Sequence, residues 1–192
     1  MIDPEKITDY HRTTNQLEEF LLFCIVAAGK NASTQALKLE ALLTLCPYSL
    51  SPFERLTKVN KQLKLRTMLE HVKMGQYGRI HDAISQLLTL NPDLKTCTTT
   101  DLETIPGIGP KTSRFFILHS RPNQKLAVLD THVLKYMREK NIKVPKSTPS
   151  GSAYLKLEQE FLKLVPANKS IADFDLEIWM HYARSKKDVV KP

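Results

Sequence analysis

Two prolines and two glycines fall within Pro106-Gly107-Ile108-Gly109-Pro110, between two stretches of helical character. No regular element crosses such a run. Thr98 to Thr100 supply cap residues for a short helix ending near Thr104. Pro106 cannot continue that helix, and Gly107 and Gly109 permit backbone angles closed to other residues. Pro110 suits the first turn of a new helix, where its missing N–H costs nothing. The chain is therefore committed to helix, tight turn, helix between about Thr98 and His119.

Such a turn aims bare N–H groups outward at a helix N-terminus, which is a site for a phosphate oxygen. The plain alternative is a simple helix connection, but here the turn coincides with Lys111 and a basic chain. Lys plus Arg number 28 against 20 Asp plus Glu in 192 residues, a net charge of +8 and a pI near 9.4. That excess suggests a polyanionic partner and salt-sensitive binding.

Lys111 falls in the first turn of the second helix, where the helix dipole disfavours an ammonium. The placement suits a nucleophile, since an amine must lose its proton to attack. It equally suits a phosphate contact, and this helix alone does not separate the two. Asp130 does. The helix from Pro110 to about His119 is roughly 15 Å long. Leu126 to Leu129, at about 3.3 Å per extended residue, returns most of that distance. Asp130 is then expected beside the start of the lysine-bearing helix while also capping the next one, Thr131 to about Lys140.

These residues resemble the helix-hairpin-helix DNA glycosylases, the superfamily of endonuclease III and the 8-oxoguanine DNA glycosylases. The family pattern Leu-Pro-Gly-Val-Gly-x-Lys, then Val-Asp-x-His, matches Ile105-Pro106-Gly107-Ile108-Gly109-Pro110-Lys111 and Leu129-Asp130-Thr131-His132. Phe23-Cys24-Ile25-Val26-Ala27-Ala28 and Asp175-Leu176-Glu177-Ile178-Trp179 are similar to the first and closing core helices of the small archaeal-type 8-oxoguanine group. Gly75-Gln76-Tyr77-Gly78-Arg79 is similar to a segment upstream of the hairpin in many relatives. The chain departs from the small group at Thr131, where arginine is frequent, and at its end, Asp188-Val189-Val190-Lys191-Pro192. Gly29-Lys30-Asn31 lacks the gap-filling glutamine of endonuclease III.

The resemblance implies Lys111 as Schiff-base nucleophile and Asp130 as the essential carboxylate. It implies DNA contacts at Pro106, Gly107, Ile108, Gly109, Lys111, Thr112 and His132, with Arg79, Lys73, Lys135 and Arg138 as further basic candidates. A flipped nucleotide needs a pocket, for which Phe23, Trp179, His181 and Tyr182 are candidates beside their plainer reading as core residues. In relatives the hairpin carbonyls bind a monovalent cation, and the matching positions are Glu103, Ile105 and Ile108. Cys24, Cys46 and Cys97 are scattered with none after Cys97, so no iron–sulfur cluster is expected. No catalytic metal or other cofactor is expected either.

The wider pattern predicts an all-α chain with helices near 14–28, 33–46, 52–59, 61–73 and 77–90, then 131–140, 151–165 and 171–185. One glycosylase unit spans 1–192. It is expected as two lobes with an active-site cleft between them: about 31–125 bearing the hairpin, and about 1–30 plus 126–192. The absence of a long apolar run or a signal-peptide layout gives an expectation of an intracellular protein, taken as a monomer. The expected activity is excision of a damaged or modified base from double-stranded DNA in base-excision repair, with β-elimination lyase activity. The first choice of base is 8-oxoguanine, with oxidised pyrimidines or another modified base as the alternative. A non-catalytic DNA-binding module is the alternative class.

Overall fold

The computed structural model describes residues 2–46 and 50–185. Among them the chain forms ten helices and no strand: α1 (Thr14–Ala27), α2 (Ala32–Thr44), α3 (Pro52–Lys61), α4 (Leu65–His71), α5 (Tyr77–Leu90), α6 (Thr99–Glu103), α7 (Pro110–Ser120), α8 (Thr131–Glu139), α9 (Gly151–Leu162) and α10 (Ile171–Ser185). Their starts are chemically marked. Thr13, Ser51 and Thr98 each cap a helix while Gln16, Glu54 and Asp101 reach back to the cap N–H, so two orphan donors are satisfied per helix start. The fourth helix is shorter than expected. Leu63 takes a left-handed φ of 57°, and Lys64 N–H closes onto Val59 O at 3.1 Å, which stops α3 and delays α4.

Helix α1 is the centre of the larger cluster. Every residue from Phe20 to Val26 is buried, so this helix has no solvent face and needs neighbours on all sides. It packs on α2, α3, α5 and α7. The expectation that residues 1–30 join the C-terminal helices is corrected here, because that unbroken apolar run is enclosed by the hairpin-bearing helices. The smaller cluster contains Ala127, Leu129, Val133, Leu134, Met137, Tyr154, Phe161, Phe174, Ile178 and Tyr182. Leu118, Val128 and Ala172 form a small third cluster. No helix among the described residues is long and apolar enough to cross a membrane.

The extended segment before Asp130 has no strand beside it, yet its backbone is buried. Side chains take the place of a neighbouring strand. Glu158 Oε1 accepts from Ala127 N–H at 2.9 Å. The Tyr154 hydroxyl donates to Ala127 O at 2.8 Å and accepts from Leu129 N–H at 3.0 Å. Thr148 Oγ1 donates to Leu129 O at 3.1 Å. Buried backbone polar groups require partners, and here three residues from α9 and its approach supply them. Tyr154→Phe strips the hydroxyl from two buried backbone groups at once. At about 1–3 kcal/mol for each group left unsatisfied, thermal or urea unfolding should register a loss of about 2–4 kcal/mol.

Candidate active site and hairpin

The turn between α6 and α7 is closed by Ile105 N–H onto Leu102 O at 3.1 Å and Ile108 N–H onto Ile105 O at 3.0 Å. Ile105 and Ile108 are buried, while Pro106, Gly107 and Gly109 are exposed. The two isoleucines therefore pin the turn to the core, and the backbone between them faces outward. Gly109 caps α7 without any side-chain hydrogen bond, which leaves that helix start unsatisfied by protein side chains and suited to an anion.

The two glycines do different work. Gly107 has φ of +86°, and a Cβ there would meet Arg79 Cγ at 3.0 Å and Arg79 O at 3.4 Å. Gly109 has φ −100° and ψ −179°, extended backbone open to any residue, with nothing within 4 Å of a built Cβ. Its small size therefore matters for what approaches from outside, not for the turn itself.

Arg79 is a support of the hairpin. Its guanidinium donates to Gly107 O at 3.3 Å, to Ile25 O at 2.9 Å and to Gln76 Oε1 at 2.7 Å, tying α5 and the end of α1 to the turn. Lys30 Nζ donates to Met74 O and Gly75 O at 2.7 and 2.9 Å. Burial first, then the neighbouring Arg79 and Lys38 charges, push Lys30 down to about 8. Of the other basic candidates, Lys135 lies over the Tyr182 ring at 4.4 Å, Arg138 donates to Pro145 O, and the Lys73 carbonyl accepts from Lys38.

Behind the hairpin lies a buried ion network. Arg114 donates to Glu103 Oε1 and Glu158 Oε1, both at 2.8 Å, and Ser113 Oγ donates to Glu103 Oε1 at 2.7 Å. The network joins α6, α7 and α9, and Glu158 is the residue that also holds Ala127. Sequence reading missed Arg114, Glu158 and Tyr154.

Lys111 and Asp130 are both half-buried. Asp130 caps α8, its Oδ1 accepting from His132 and Val133 N–H at 2.8 Å each, and its own N–H donates to Val128 O at 2.7 Å. Two buried groups feel the charge of Lys111: the Cys24 thiol in α1 and the Asp175 carboxyl in α10. Asp175 feels Asp130 as well. The amine and the carboxylate thus converge where α1, α7, α8 and α10 meet. Burial raises the Asp175 carboxyl above the usual range. Its hydrogen bond to His119 opposes that rise most, Asp130 adds to it, and Lys111 opposes it.

The expected pocket residues separate. Phe23 is 2% exposed inside the main cluster, so its role as a pocket wall is corrected: it is core. Tyr182 is also core, its hydroxyl hydrogen-bonded to Glu139, although its ring stacks on His132 at 6.0 Å. Trp179 is half-buried and His181 exposed, the latter edge-on to Tyr182 at 4.8 Å. Thr112 is buried. Among the described residues no group of three or more His, Cys, Asp or Glu side chains could hold a metal ion.

A helix-hairpin-helix whose second helix carries a lysine, with a capping carboxylate returned beside it, defines a class of DNA-acting proteins. The chain belongs to the 8-oxoguanine DNA glycosylase family of the helix-hairpin-helix type, whose pattern matches residues 4–169. It is a DNA glycosylase of base-excision repair, and DNA is its substrate. The match stops just before α10. No curated protein and no solved structure matches the chain.

The unequal glycines give a paired expectation. Gly107→Ala forces a side chain into left-handed backbone at a cost of about 1–3 kcal/mol and should lower the unfolding midpoint. Gly109→Val should keep stability within about 0.5 kcal/mol yet weaken duplex binding about tenfold or more, since one charged hydrogen bond contributes about 1.5–3 kcal/mol. Calorimetry beside fluorescence anisotropy on the same duplex separates the two effects.

Proposed function

We propose that this glycosylase is bifunctional, with Lys111 as nucleophile and Asp130 as its electrostatic partner, and that it excises 8-oxoguanine from duplex DNA as a monomer. What supports the reading is the convergence of Lys111 and Asp130 upon Asp175, next to a hairpin whose backbone is free to take phosphate. A non-catalytic module has no use for a lysine and a fixed carboxylate at one junction.

The target nucleotide leaves the stack, because its sugar carbon is unreachable inside a duplex. The neutral Lys111 amine attacks C1′. A C–N bond forms to the lysine as the glycosidic bond breaks, and the departing base takes up a proton. The anionic Asp130, held in place by two N–H donors, faces the positive charge developing on the sugar. The amine loses its second proton as the ring opens to a Schiff base. A proton then leaves C2′, the 3′ phosphate departs, and water releases the lysine.

Hairpin N–H groups and the positive net charge supply the sequence-independent affinity, so binding should fall steeply with salt. Trp179, the half-buried aromatic of α10, is the candidate to stack on the flipped base. For a monovalent cation at the carbonyls of Glu103, Ile105 and Ile108, the closed turn is suitable, with one lone pair of Ile105 O already used by Ile108 N–H. Such an ion would polarise the outward N–H groups. No other cofactor enters the reading.

Incubation with duplexes carrying 8-oxoguanine or an oxidised pyrimidine, read as strand scission, should give cleavage at 8-oxoguanine first. Activity confined to oxidised pyrimidines would move the substrate and leave the chemistry intact. Borohydride should trap a covalent protein–DNA complex. Lys111→Gln should abolish trapping and scission while retaining duplex binding, and trapping at the parent rate would mean that another amine attacks. Asp130→Asn keeps the cap, since asparagine caps well. It should nonetheless slow base excision about a hundredfold or more, in line with loss of one preorganised electrostatic group.

A further inference from the structure

One buried ionisable pair has no part in the chemistry above. Asp175 is 5% exposed and His119 is fully enclosed. Asp175 Oδ2 meets His119 Nε2 at 3.2 Å, and His119 Nδ1 meets Thr8 Oγ1 at 2.8 Å. Both ring nitrogens are therefore engaged. The backbone carbonyl of His119 is held as well, by Arg12 Nη1 at 2.9 Å and Asp9 N–H at 3.1 Å. This end of α7 is rigid. Asp175 Oδ1, by contrast, is buried and has no hydrogen-bond partner among the described residues. A carboxylate oxygen buried without a partner is costly. The structure thus contains an acceptor in search of a donor, close enough to Lys111 to feel its charge.

The two carboxylates of the site are not equivalent. Asp130 Oδ1 is already taken by two N–H groups, and Asp130 must stay anionic while positive charge grows on the sugar. If it took the lysine's proton, that charge would vanish when needed. We propose that Asp175 is a positioning residue for the reaction: its free Oδ1 takes the proton that the Lys111 ammonium must shed, and His119 holds it in place to do so.

The step balances. One N–H bond of the ammonium breaks, its electron pair stays on nitrogen, and an O–H bond forms on Asp175. A cation and an anion become two neutral groups, the form favoured by a dry interior. Schiff-base hydrolysis later frees the amine, which takes the proton back. The charged or titratable groups around Asp175 are His119 and Lys111 from α7, Asp130 at the start of α8 and Tyr154 from α9. Among these, Lys111 is the one with a proton to give in the reaction. Asp175 lies beyond the residues that match the family.

The inference rests on Lys111 being the nucleophile. The test is the rate of borohydride trapping on an abasic-site duplex as a function of pH, using the full chain and Asp175→Asn. With an internal acceptor, the parent rate should change little between mildly acidic and mildly basic pH. Asp175→Asn should lose at least about tenfold at neutral pH and then regain about tenfold for each pH unit, as an amine without an acceptor does. Duplex affinity should be retained. An Asp175→Asn profile with the parent's shape, whatever its height, overturns the proposal and assigns Asp175 a structural role only. No trapped complex in the parent would instead sink the nucleophile reading. Should Asp175→Asn fail to fold, competitive acylation of Lys111 in the parent decides: reactivity persisting at neutral pH supports the acceptor, and a fall of about tenfold per pH unit overturns it.

Discussion

The Glu158 carboxylate is the contact on which the site depends. It takes Arg114 Nε at 2.8 Å and Ala127 N–H at 2.9 Å, both on Oε1. Arg114 reaches on to Glu103 in the short helix before the hairpin. One buried group therefore sets the spacing between the hairpin, the lysine-bearing helix and the segment that delivers Asp130. Burying such charges is worthwhile only when every partner is present. Removal of one leaves an uncompensated charge, at a cost of about 3–5 kcal/mol. The arrangement adds little net stability and imposes a geometry. That suits an enzyme whose amine and carboxylate come from residues far apart in sequence and must meet within a fraction of an ångström.

Legibility in the sequence followed the range of the interaction. Helix boundaries were readable because their signals are local: a cap at Thr13, Ser51 or Thr98, a proline at Pro52 or Pro110, a glycine-rich turn at Gly107. Lys111 and Asp130 were readable because the length of α7 and the length of the return segment can be compared without knowing the fold. The supports were not. Arg114 and Glu158 are 44 positions apart, and His119 and Asp175 are 56 apart. Pairs at such separations leave no periodic trace, and a buried arginine reads like a solvated one.

The same reasoning explains the misplacements. Seven successive buried residues in α1 carry no information about which face meets which neighbour. Phe23 therefore looked as good for a pocket as for a core, and its helix was assigned to the wrong group of helices. Arg79 looked like a phosphate ligand because it is basic and near the hairpin. It is near the hairpin because it holds the hairpin's carbonyl. Charge alone does not tell a residue that binds the ligand from one that binds the loop.

The segment leading to Asp130 is extended but belongs to no sheet. In a sheet, each rung of the ladder resembles the next, so a strand can slide by two residues and still find partners. Around residues 127–129 the rungs are all different: a carboxylate, a phenol and a threonine hydroxyl, each presented from its own place. A shifted chain would find none of them. The carboxylate that faces the sugar is thus delivered by a lock with one key position, and the chain has no neighbouring register in which Asp130 could arrive a residue early or late.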